Sequence, residues 1–102
     1  MFGDKVKQAQ TMRARLRRTR KEELVDSLIE QYRAVQEART DLREARDDLD
    51  EKVAAEADSA VIATATDLVT SKQQAVDQAE EVLRIRERRA RRRYPDDFQW
   101  LG

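Results

Sequence analysis

The residues in this chain best suited to chemistry are arginines. Arg13, Arg15, Arg17, Arg18, Arg20 and Lys21 fall in one short stretch, and Arg84, Arg86, Arg88, Arg89, Arg91, Arg92 and Arg93 in another. A guanidinium carries a permanent charge and a planar fork of donors that matches phosphate and carboxylate oxygens. The chemistry expected of these positions is recognition of a polyanion rather than catalysis. Acids are as numerous as bases, 21 of each, yet they form no convincing catalytic pair. Asp47 and Asp48, or Glu80 and Glu81, are neighbours in sequence and point in different directions on a helix. The chain has no His and no Cys. That removes the usual near-neutral base, the commonest metal ligand and thiolate chemistry. No glycine-rich phosphate loop is present. The expectation is a non-enzymatic protein with no catalytic site, no metal, no cofactor and no small-molecule substrate.

Helices must position these arginines. Of 102 residues, 41% are charged and 5% aromatic. Leu, Ile, Val and Phe total 21, close to the level below which chains do not collapse, so one domain at most and no large core is expected. Gly occurs only at positions 3 and 102 and Pro only at 95, so nothing between them forces a turn. Most residues there favour helix.

One apolar stripe organises the chain. Leu28, Val35, Leu42 and Leu49 recur every seven residues, with Ala38 and Ala45 between them. Leu24, Val25, Ile29, Tyr32 and Val53 extend that seam over a helix from about 20 to 56. Thr19 and Glu22 have the spacing of a capping box at its start. A basic first helix is expected over 4–18, capped by Asp4, with Val6, Ala9, Met12 and Leu16 as its thin apolar face.

Beyond Leu49 the stripe dies. A new phase appears at Val61, Leu68, Ala75 and Val82, with Val69, Val76, Leu83 and Ala90 beside it. Asp58 and Ser59, both good caps, sit at the shift. The expected fold class is all-α. It is a long antiparallel two-helix hairpin, coiled-coil-like, with a short N-terminal basic helix and an aromatic C-terminal tail. Its divisions are 1–19, 20–93 with a turn near 57–60, and 94–102. A single long helix in a parallel dimer is the alternative. The core seam is expected at Leu28, Val35, Leu42, Leu49, Val69, Val76 and Leu83, with Leu42 facing Val76 and Val35 facing Leu83. Thr64, Thr66 and Thr70 are β-branched and predict fraying or a kink early in the second long helix.

Met1-Phe2-Gly3 and Lys7-Gln8-Ala9-Gln10-Thr11-Met12 resemble the opening of YbaB-type nucleoid-associated proteins over about a dozen residues. That family continues into β-strands. This chain has no alternating strand pattern there, and the resemblance is not carried further.

Net charge is zero but uneven. Residues 4–21 carry eight cations against Asp4, and 84–93 seven against Glu87. A hairpin brings these two segments to one pole. The opposite pole, Asp41–Asp58, has eight acids against Arg43, Arg46 and Lys52. The tail holds Tyr94, Phe98, Trp100 and Leu101. These either fold back over the open end of the hairpin or form a partner-docking peptide.

Two functions follow as expectations. The first is a structural or assembly protein, a hairpin that homo-oligomerises or docks on a protein partner through its basic pole and tail. Exposed flanks at Ile29, Tyr32, Ile62 and Ile85 are expected to favour self-association. Its size and composition suit a component of a phage-type particle, an analogy of type only. The second is a small nucleic-acid-binding protein that contacts phosphate backbones through the Arg-rich pole. No apolar run spans a bilayer and no signal-peptide core is visible, so a cytoplasmic or virion location without membrane partners is expected.

Overall fold

The computed structural model describes residues 2–15 and 20–101. In order these form α1 (Phe2–Arg15), α2 (Arg20–Ala54), α3 (Ser59–Arg93) and a closing 3-10 turn (Gln99–Leu101). No strand occurs among the described residues. Helices α2 and α3 pack against each other as an antiparallel helical hairpin, preceded by the short α1. Leu16, Arg17, Arg18 and the expected cap at Thr19 lie outside the described residues.

Helix α1 begins at Phe2, two residues before the expected cap. Asp4 therefore sits in the first turn, where its charge suits the positive end of the helix dipole. Arg13 and Arg15 occupy the last turn, so the first basic cluster partly matches the dipole as well. In α2 the first turn carries Glu22 and Glu23, which offset Arg20 and Lys21.

The turn between the long helices occupies 55–58, about two residues earlier than expected. Its geometry explains how it closes without glycine. The Glu56 amide donates to the Val53 carbonyl (3.1 Å) and the Ala57 amide to the Lys52 carbonyl (3.1 Å), the paired bonds of a Schellman ending. Glu56 takes the left-handed position of that ending, at φ 52°. Asp58 then starts α3, its carbonyl accepting from the Ile62 amide (3.0 Å). Helix α3 runs unbroken through its threonines. Thr64, Thr66 and Thr70 each turn the hydroxyl back to the carbonyl four residues earlier, at 3.0, 2.8 and 3.2 Å. That local bond satisfies the side chain without opening the helix.

The chain divides into two compact units. The aromatic unit comprises Met1–Ala34 and Glu81–Gly102, and the seam unit Val35–Glu80. In the aromatic unit Ala9, Val25, Leu28, Tyr32, Ala90 and Phe98 are fully buried, with Leu83 and Leu101 nearly so. Phe2 meets Tyr32 edge to face, with ring centroids 5.2 Å apart. Tyr32 is therefore a core residue and not the exposed flank the stripe suggested.

The seam unit has only a thin core. Val35, Leu42, Ala45, Ala65 and Val76 are buried, while Leu49 and Val69 are half-buried. Val53, expected in the seam, is 53% exposed because α2 ends one residue later. Across the seam Arg39 pairs with Glu80 (3.3 Å), Arg46 donates to Gln73 (3.0 Å), and Lys72 lies 4.0 Å from Asp41.

Candidate functional site

The cations of the aromatic unit fall into two groups. One group is occupied by the unit's own structure. Arg13 pairs with Glu22 (2.6 Å) and Asp26, and Lys5 pairs with the buried Glu87 (3.0 Å). Lys21 pairs with Asp97 (2.6 Å) and lies over the Tyr94 ring. The hydrogen bond it donates to the Asp97 carboxylate holds the Lys21 ammonium above its ordinary pKa. Arg84 pairs with Glu81, Arg86 donates to the Ser27 carbonyl (2.9 Å), and Arg91 reaches the Leu101 carbonyl (3.5 Å). Arg93 stacks on Tyr94, 5.9 Å from the ring centroid.

The second group is open. Arg15, Arg20, Arg88, Arg89 and Arg92 are exposed and make no ion pair among the described residues. Arg20, Arg89 and Arg93 line a shallow depression with Glu23 and Leu24. The two distant arginine segments thus share one surface there. Of the thirteen positions expected to bind a polyanion, Arg17 and Arg18 lie outside the described residues. Roughly half of the rest hold the fold together instead.

The tail folds back. The Tyr94 amide continues the α3 ladder to the Ala90 carbonyl (2.9 Å), and Phe98 and Leu101 donate to the carbonyls of Tyr94 and Phe98. Phe98 is fully buried and Leu101 is 3% exposed. Phe98 packs between Tyr94 and Trp100, with centroids 6.5 and 5.9 Å away. The Trp100 indole donates to the Asp97 carbonyl (3.1 Å). Of the four expected docking residues, Tyr94 and Trp100 keep a partly exposed face, while Phe98 and Leu101 face their own chain.

Tyr32 is also buried in this unit. Its hydroxyl is buried without a hydrogen bond of ordinary geometry. Burial pushes its pKa well above the usual tyrosine range, and the nearby Glu87 carboxylate adds to the shift. The phenol is a neutral packing group and not a titrating one near neutral pH.

The seam unit also leaves the neighbouring stripe of α3 outside the expected seam. Val61 and Leu68 belong to the new heptad phase, but the buried seam follows their neighbours Ala65, Val69 and Val76. Val61 and Leu68 remain 40% and 44% exposed. With Ala60, Thr64 and Ala65 they form a mostly apolar groove, rimmed by Asp48, Lys52 and Asp67. Two adjacent seven-residue repeats on one helix were visible in the sequence. The expected register, Leu42 against Val76, turns the second of them toward α2.

Among the described residues no group of acids is placed to hold a metal ion, and no helix is long and apolar enough to cross a membrane. No protein-family model, curated protein or solved structure matches the chain.

Proposed function

We propose that this chain is a non-enzymatic assembly protein whose helical hairpin self-associates or docks into a larger complex. The exposed apolar pair Val61 and Leu68, one heptad apart on α3, carries this reading. A helix that repeats apolar residues every seven positions on a face its own chain leaves uncovered is patterned for another helix. Burying such a side chain contributes about 1.5–3 kcal/mol at most, so the apolar pair must act together with the surrounding contacts to offset the cost of association. The folded-back tail supports the hairpin, and docking falls to the α3 face and the open arginines. A particle-type assembly of many copies fits the same surfaces.

The test is native mass by light scattering at micromolar concentration, for the intact chain and for Leu68→Glu. The intact chain is expected to exceed monomer mass, and Leu68→Glu to lose that excess while keeping its helicity. A fully helical monomer for the intact chain would remove the self-association claim.

A second reading rests on Arg15, Arg20, Arg88, Arg89 and Arg92. Cations without partners on a folded surface support binding to phosphate backbones, with affinity that falls steeply as salt rises. The double variant Arg20→Glu/Arg89→Glu is expected to abolish a mobility shift with DNA or RNA at low salt. Absence of any shift for the intact chain would dismiss this reading.

A further inference from the structure

We infer that the apolar groove of the seam unit receives the outer face of α3 from the aromatic unit of a second copy. The inference rests on the self-association proposed above and names the two surfaces that mate.

The groove is apolar at its floor and acidic at its rim. Leu68 lines it and also an adjoining depression edged by Asp41, Glu44 and Asp48. Lys52 and Lys72 answer Asp48 and Asp41. Asp67 and Glu44 have no ion pair among the described residues. The seam unit as a whole has 12 Asp and Glu against 5 Lys and Arg, a net of −7.

The aromatic unit offers the complementary face. Val82 and Ile85 are 38% and 45% exposed, and among the described residues they are the unit's only exposed large apolar side chains. They lie three residues apart on α3, hence on one side of the helix. Arg89 follows on that same side, four residues beyond Ile85, with Arg88 next to it. Neither arginine has a partner among the described residues. This unit has 16 Lys and Arg against 9 Asp and Glu, a net of +7.

Each unit therefore carries half of an interface: an apolar slot with spare carboxylates, and an apolar ridge with spare guanidiniums. Two grooves set face to face would bring like charges together, and so would two ridges, which disfavours both. Groove against ridge matches apolar to apolar and acid to arginine. Such contact is heterologous. It closes into a reciprocal pair or a ring, or it propagates as a filament, according to the angle between successive copies.

Dead-end variants separate this from other modes of assembly. Leu68→Glu spoils the groove and leaves the ridge. Ile85→Glu spoils the ridge and leaves the groove. Both residues are surface-exposed, so helicity measured by circular dichroism is expected to be kept. Leu68→Gln and Ile85→Gln serve where the charged variants reduce it.

Sedimentation is expected to show each variant weakened in self-association by about tenfold or more. An equimolar mixture is expected to recover a complex containing one of each, through the one intact groove and the one intact ridge. High salt should weaken that complex. If Leu68→Glu disrupts assembly while Ile85→Glu does not, copies pair groove to groove and this inference is wrong. If both variants disrupt assembly and mixing restores nothing, it is also wrong, although self-association itself stands. A monomeric intact chain would overturn both.

Discussion

The aromatic unit and the seam unit are drawn from the same two long helices, yet they bury very different things. The aromatic unit gathers Phe2, Tyr32 and Phe98, adds α1 and the tail as extra layers, and ties them with Lys5–Glu87 and Lys21–Asp97. The seam unit has two helices and a line of Val, Leu and Ala. Two helices in contact leave most of each surface in water, so a seam of this kind contributes little by itself. The lesson is a division of labour. The part with four layers of chain holds itself together, and the part with two presents apolar surface outward at Val61 and Leu68.

Substitutions can break that contrast. The largest effect is expected from Phe98→Ala, which removes a fully buried ring from the aromatic unit. Denaturant unfolding should show a loss of about 3–5 kcal/mol, the usual cost of deleting a buried ring. Trp100 packs on Phe98, so its fluorescence should report the same transition. Leu42→Ala in the seam should cost less, about 2–3 kcal/mol, because a thin two-helix layer collapses around the gap more readily. If the two substitutions cost the same, the units do not differ as described.

A smaller effect of opposite sign is expected at the turn. Glu56 holds a left-handed φ that side chains resist and glycine does not. Glu56→Gly should raise stability by about 0.5–1 kcal/mol. A loss there would mean that the Glu56 side chain stabilises the turn in a way its backbone geometry does not reveal.

The smallest effect concerns Tyr32 and pH. Its folded pKa lies above its unfolded value of about 10. Below the unfolded value both states keep the proton, and nothing is lost. As pH rises past it, the unfolded chain releases the proton while the folded chain does not, so stability falls. Melting temperatures at about pH 9 and about pH 11 should therefore diverge less in Tyr32→Phe than in the intact chain. An equal drop in both would place the alkaline sensitivity elsewhere.

Much of this architecture was legible in the sequence, for physical reasons that can be named. Heptad spacing at Leu28, Val35 and Leu42 depends only on helix periodicity, and all three are buried. The phase change after Leu49 required a turn, and caps at Asp58 and Ser59 placed it to within a few residues. Other features depend on three-dimensional closure. Glu56 supplies the left-handed residue that sequence reasoning assigns to glycine, so the turn fell two residues early. Tyr32 is buried because Phe2, thirty positions away, covers it.

The choice between the Val61–Leu68 and Val69–Val76 stripes depends on rotation of α3 about its axis; the register that pairs Leu42 with Val76 and Val35 with Leu83 selects the second, and Val76 and Leu83 are buried. The arginine surface was legible as charge but not as function. Sequence cannot tell Arg13, held by Glu22 and Asp26, from Arg20, which has no ion pair among the described residues.

Amide hydrogen exchange, followed along both helices over a series of protein concentrations, tests the contrast most directly. In dilute protein, amides around Val25–Tyr32 and Leu83–Ala90 should exchange slowest, and those around Leu42–Leu49 and Val61–Leu68 clearly faster. As concentration rises, the second group should slow as its groove is covered, and amides beside Val82 and Ile85 on the mating ridge should slow with it. Uniform protection along both helices, unchanged by concentration, would contradict the account.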